Sequence, residues 1–162
     1  MATVNLDNVK NLPNPAYGGT APYGNLSAKP YQFKTNTSGV VAGSDQATAI
    51  AEADVVRLGV LPAGMKLIDM IAVISDAFTA ATVFDLGFQY VDGVDVTAVP
   101  QDDDYFADGV SSASAATLRK ATTTKPVTLP KDAYLILTNK TGADHASAGQ
   151  MDINIIGEIT GV

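Results

Sequence analysis

Three stretches of this chain alternate apolar and polar residues with a period of two, and that periodicity decides what the chain can fold into. In Val55–Leu61, the residues Val56, Leu58 and Val60 fall on one side and Arg57 and Gly59 on the other. In 82–90, Phe84, Leu86, Phe88 and Tyr90 oppose Asp85, Gly87 and Gln89. In 151–160, Met151, Ile153, Ile155 and Ile159 oppose Asp152, Asn154 and Glu158. Side chains on a strand point alternately to its two faces, so each stretch reads as an antiparallel strand with one face in a core. Segments 66–75 and 133–139 are apolar on both faces, apart from Asp69 in the first. The first is expected to be a central strand or one covered by a partner, and the second a central strand.

Residue usage and turn chemistry point the same way. Valine and threonine occur 16 times each, and the acids are 15 Asp against 2 Glu. Asp favours turns where Glu favours helices. Leu61-Pro62-Ala63-Gly64 suits a type I turn with Pro second and Gly fourth. Asp92-Gly93 predicts a tight hairpin between Tyr90 and Val94, and Pro130-Lys131-Asp132 a turn into Ala133. Two alanine-rich stretches, 45–53 and 111–120, suit short helices as well as they suit strand or loop. The expected class is all-β, an antiparallel β-sandwich or barrel.

Residues 1–44 differ in kind and are expected to be an extended N-terminal arm on a β-sandwich body spanning 45–162. Half of the 8 prolines and 5 of the 14 glycines lie here, with no regular period. Lys10, Lys29 and Lys34 against Asp7 give this segment +2, which leaves −9 for the rest of a chain of net charge −7. A weakly basic arm on an acidic body suits contact with another acidic subunit, a second copy included, the alternative being an arm that is merely solvated. The arm holds Tyr17, Tyr23, Tyr31 and Phe33, 4 of 11 aromatics. Burying four rings is worth roughly 6–12 kcal/mol. Ordering a backbone this long costs tens of kcal/mol, at about 1–2 per residue. The arm must therefore also gain backbone hydrogen bonds, and the alternating Tyr31-Gln32-Phe33-Lys34-Thr35 can add to a sheet edge of its own body or of a neighbour's. The four rings with Lys29 and Lys34 are the expected protein-contact residues.

Catalytic and cofactor chemistry is poorly supplied. The absence of cysteine removes disulfides, thiolate metal sites and thiol nucleophiles. There is no glycine-rich phosphate loop, no G-x-S-x-G and no H-E-x-x-H. The one histidine, His145, sits in a polar turn-like run. Asp102, Asp103 and Asp104, with Asp92, Asp95 and Asp108 nearby, offer oxygens to calcium, but their spacing matches no EF-hand. Paired carboxylates for sugar hydrolysis would draw on Asp residues or on Glu52 and Glu158, and no tryptophan is present to stack a sugar. No enzyme activity and no cofactor are expected. The negative charge argues against nucleic acid. The longest apolar stretch, 67–74, is too short to span a membrane, and no secretory start is seen, so cytosolic synthesis is expected.

The stretch Asp54-Val55-Val56-Arg57-Leu58-Gly59-Val60-Leu61-Pro62-Ala63-Gly64-Met65-Lys66-Leu67-Ile68-Asp69, followed by Thr79-Ala80-Ala81-Thr82-Val83-Phe84-Asp85-Leu86-Gly87-Phe88, resembles the capsid decoration, or cement, proteins of tailed phages. The shared pattern is an R-L-G-x-L-P-A-G turn, a long apolar strand, a small-residue turn and an aromatic strand containing D-L-G. The resemblance covers roughly residues 54–90. It implies a jelly-roll-like fold and a homodimer or homotrimer that binds the major capsid protein on the outer surface of the virion and clamps neighbouring shell subunits. Related sandwiches serve as phage neck, tail and fibre modules, and a carbohydrate-binding sandwich is a further alternative. The family has no catalytic residues to carry over.

Overall fold

The computed structural model describes residues 3–5, 26–78, 82–121, 123–141 and 147–159. Ten strands are formed: β1 (Thr3–Asn5), β2 (Leu26–Thr35), β3 (Val55–Leu61), β4 (Met65–Asp76), β5 (Val83–Tyr90), β6 (Asp102–Ser111), β7 (Ala116–Arg119), β8 (Val127–Thr128), β9 (Ala133–Thr141) and β10 (Gly149–Ile159). One sheet has the order β2-β10-β4-β7, with β8 also on β4, and the other β1-β3-β9-β5-β6. The chain changes sheet at almost every connection, so that β2, β4, β7 and β10 alternate with β3, β5–β6 and β9. Two sheets interleaved in this way are a jelly roll, as expected. The parallel pairing of β1 with β3 is the one departure from antiparallel order among the described strands.

The alternation seen in the sequence builds the core. Val56 and Leu58 of β3, Phe84, Leu86, Phe88 and Tyr90 of β5, and Met151, Ile153 and Ile155 of β10 are all buried in one cluster between the sheets. Segments 66–75 and 133–139 are central as expected: β4 lies between β10 and β7, and β9 between β3 and β5. β2 pairs with β10 from Thr35 opposite Gly149 to Leu26 opposite Glu158. The alternating part of the expected arm is thus a strand of its own body. Phe33 is fully buried, stacked 5.1 Å from Phe78 and edge-on to Phe84 at 5.3 Å.

Four local expectations need correction. Val60 does not share the core face of Val56 and Leu58: the register of β3 shifts between Arg57 and Gly59 and turns Val60 outward, against Tyr134 and Ile136. The turn after β3 is displaced by one residue, because Met65 N–H donates to Pro62 O at 3.2 Å and Gly64 N–H instead donates to Leu129 O. Gly64 therefore occupies the third turn position, where its φ of 76° requires glycine. At Asp92-Gly93 the chain does turn, with Gly93 at φ 70°. Pairing does not resume until Asp102, however, so the connection is a long loop and not a tight hairpin. That loop has partners of its own: Tyr90 Oη donates to Val99 O at 2.6 Å, and Lys131 Nζ holds Asp92 at 2.7 Å. The alanine-rich stretches contain no helix. Residues 45–53 are irregular, and 111–120 ends in β7 on the edge of β4.

Gly87 marks a second place where glycine is obligatory. A Cβ there would lie 2.1 Å from Asp102 O and 2.3 Å from Asp103 C, so the β6 backbone crosses directly over it. Replacing Phe33 by Ala should cost about 3–5 kcal/mol in denaturant melts, since it empties the aromatic centre. Removing residues 1–44 should abolish cooperative unfolding altogether, because β2 goes with them. A truncated protein that melts cooperatively would show β2 to be an accessory.

Candidate interaction surface

The six residues expected to make protein contacts are scattered by the fold. Tyr17 and Tyr23 lie outside the described residues. Tyr31 and Phe33 face the core of their own chain. Lys29 lies at the seam between the sheets, where its Nζ donates to Val60 O at 3.1 Å and sits 5.3 Å from the Tyr31 ring. Tyr31 Oη donates to the same carbonyl at 2.9 Å. Partial burial there lowers the Lys29 pKa. Lys34 alone stands exposed on the outer face of β2.

The acidic cluster is real but modest. Asp102, Asp103 and Asp104 open β6, and their carboxylates all come within 4.8 Å of one another. These residues are the group best placed to hold a cation among those described. The hydrogen bond with Asp102 raises the Asp104 pKa; partial burial and the charges of Asp102 and Asp108 add to this, and Lys140 opposes it. Asp102 and Asp103 also edge a cavity of about 330 Å³ on the outer side of the sheet, with Gln89, Gln101, Ile136 and Thr138. A second cavity, of about 370 Å³, lies on the other side of Asp102, between the β5–β6 loop and the segment after β7. Neither holds an array of nucleophile, base and oxyanion donors.

Asp85, by contrast, has a structural role. Buried Asp85 accepts Gly109 N–H at 2.6 Å and pairs with Lys140 at 3.2 Å. This pair, which the sequence reading missed, fastens the β5–β6 and β5–β9 neighbours together. Glu52 is next to Ala53, whose N–H bonds Asn139 near the end of β9. Glu158 lies opposite Lys66 near the start of β4, at the other end of the sandwich. The two glutamates are therefore no hydrolytic pair. His145 is outside the described residues.

The two outer sheet faces differ. On the β3–β9 side, the outward Val60, Tyr134 and Ile136 are already buried, and Arg57 lies 4.6 Å from the Tyr134 ring. On the β2-β10-β4-β7 side, the outward apolar residues remain half-exposed or exposed: Leu26, Ala28 and Pro30 on β2, Ile156 on β10, and Ile71 and Val73 on β4. Leu26 is 66% exposed. The only hint in the sequence was that 66–75 is apolar on both sides.

The acidic cluster yields a test. A carboxyl with a raised folded pKa adds stability only below its ordinary range and loses it as pH rises through the folded value. Asp104→Asn should therefore raise the melting temperature slightly at pH 7, with the gain vanishing toward pH 4. Chelation by EDTA should leave the melt unchanged. A large fall in Tm on chelation would make the cluster a structural cation site.

No protein-family model matches the chain, and no curated protein matches it in sequence. Solved structures do match. A chain of the capsid of Ralstonia phage GP4 superposes with a TM-score of 0.65 at 12% identity, covering 99% of this chain and 100% of that one. A chain of the capsid asymmetric unit of cyanophage Pam1 superposes with a TM-score of 0.54 at 11% identity, covering 89% of this chain and 91% of that one. At such identities the likeness is one of fold, and the chain has a jelly-roll fold found in the capsids of phages.

Proposed function

We propose that this protein is a capsid decoration protein, which binds the outer surface of an assembled phage shell and stabilises it by clamping neighbouring major capsid protein subunits. The observation that carries this reading is the end-to-end match to a chain of a phage capsid, over 99% of this chain and all of that one. The R-L-G-x-L-P-A-G turn and D-L-G strand of residues 54–90 support the decoration role in particular.

The mechanism is linkage. A protein that binds the assembled shell and not its dissociated subunits stabilises the assembled state by mass action. Several weak contacts per oligomer multiply through effective concentration, so no single contact has to be tight. The shell contacts are assigned to the exposed Lys34 and to the tyrosines of the expected arm, Tyr17 and Tyr23. Tyr31 and Phe33 serve the same attachment indirectly, by anchoring β2 in the body.

The copy number of the chain relative to the major capsid protein in purified virions tests the reading. A ratio of one, or a simple fraction of it, is expected, whereas a few per cent would place the protein in the neck, tail or fibre. Absence from particles would overturn a virion role. Replacing Tyr17 and Tyr23 together by Ala should weaken attachment to preformed shells at least tenfold without changing the melt; unchanged attachment would remove the arm from the interface.

A further inference from the structure

We infer that the cavity of about 330 Å³ on the outer side of the β1-β3-β9-β5-β6 sheet is a binding site for an arginine side chain of the major capsid protein. The guanidinium meets Asp102 and Asp103, and the stem lies on Val55 and Ile136. The source of the arginine rests on the decoration reading; the site itself rests on the chemistry of the cavity.

An irregularity in the sheet builds the cavity. β5 pairs with β6 through Phe88 opposite Asp102 and Leu86 opposite Ala107, so residues 103–106 of β6 stand against Gly87 alone. A bulge of this kind bends its strand and re-aims the side chains it carries. Gly87 makes room for it, because the backbone of Asp102 and Asp103 passes where a Cβ would lie. On β9, Ile136 is opposite Gly87 and Thr138 opposite Asp85, and on β3, Val55 is opposite Thr138. The bulged backbone forms one wall, and the outward side chains of β3 and β9 form the other.

The lining favours one kind of guest. It holds two carboxylates, Asp102 and Asp103, and two amides, Gln89 and Gln101, with no basic residue. Among the described residues neither carboxylate has an ion-pair partner, and the cation nearest this acidic cluster, Lys140, is held by Asp85 and Asp108. Thr138 gives an independent sign: it lines the cavity, and its Oγ1 is buried with no hydrogen-bond partner. A buried hydroxyl in that state is destabilising, and a donor arriving at this wall completes it.

Arginine answers each feature. It brings five N–H donors in a planar fork suited to carboxylates, on an apolar stem. Val55, Ile136 and Phe88 offer that stem an apolar surface, for which a bare metal ion has no use. A sugar is poorly served, since Phe88 is the only ring in the lining and is 1% exposed. The second cavity has Lys125 as well as Asp102 in its wall and lacks this charge bias.

Titrating the purified full chain with N-acetyl-arginine amide, followed by backbone amide NMR shifts, tests the site without any shell. Saturable shifts around Gln89, Asp103 and Thr138 are expected, with a dissociation constant in the millimolar range. Replacing Asp102→Asn and Asp103→Asn together should weaken binding at least tenfold without lowering the melt. N-acetyl-norleucine amide, which keeps a stem but has no guanidinium, should not bind. No saturable shift, equal binding by the double variant, or equal binding of the norleucine compound would overturn the site. Calcium chloride producing the same shifts at lower concentration would overturn it as well, by making the acids a cation site. On preformed shells the double variant should attach at least tenfold more weakly; normal attachment by a variant that has lost arginine binding would overturn the shell as the source. Absence of the protein from virions would sink the decoration reading and leave the arginine titration untouched, so the two failures are distinguishable.

Discussion

The contact on which this fold most depends is the meeting of Phe33, Phe78 and Phe84. Phe33 comes from β2 of one sheet, Phe84 from β5 of the other, and Phe78 from the connection that leaves β4. The three ring pairs lie 5.1, 5.3 and 5.4 Å apart, one stacked and two edge-on. Each such geometry adds about 0.5–1.5 kcal/mol beyond burial. The cluster ties the early strand β2 across the sandwich to the β1-β3-β9-β5-β6 sheet. Gly149 is part of the same arrangement, since a Cβ there would meet the Phe78 ring at 2.3 Å.

Much of the body was legible because its strands alternate in sequence. Where one face meets a core and the other is half-exposed, the hydropathy pattern records both, as in β10; β5 alternates in sequence as well, although Asp85 and Gly87 on its second face are buried. Residues 26–30 were harder to read. In Leu26-Ser27-Ala28-Lys29-Pro30 the apolar residues point outward, while Lys29 turns inward to bond Val60 O. A strand whose outer face is apolar reverses the usual rule, so composition alone assigned this stretch to an arm. The Asp92-Gly93 misreading has a different cause. The dipeptide specifies a turn, but whether pairing resumes after it depends on distant partners, here Lys131 and the carbonyl acceptors of the loop.

The candidate surface was legible only in part. Spacing could eliminate chemistry, because a catalytic group needs particular neighbours and the chain has few His and Glu to provide them. It could not distinguish a ring buried at home from a ring offered to a neighbour. The alternation at Tyr31 and Phe33 suited an edge of either body, and only the pairing of β2 with β10 shows that these rings are buried at home. Asp85 was similarly invisible as a buried ion-pair partner, since its polar position in an alternating strand reads as solvent-facing.

The pairing of β2 with β10 has a further consequence, for the order of events during synthesis. Leu26 is matched to Glu158 and Thr35 to Gly149, so one of the two sheets joins segments more than a hundred residues apart. β10 lies between β2 and β4, and until it arrives those strands have no neighbour to join them. Contacts this distant in sequence impose a loop-closure cost before they return any stabilisation, and such folds form slowly. On the ribosome the nascent chain must hold β2 and β4 unpaired along their inner edges until residue 159 has emerged. Closure of this sheet therefore waits for β10, and the exposure of unjoined apolar strands before that moment is the period in which this chain is most open to misassembly.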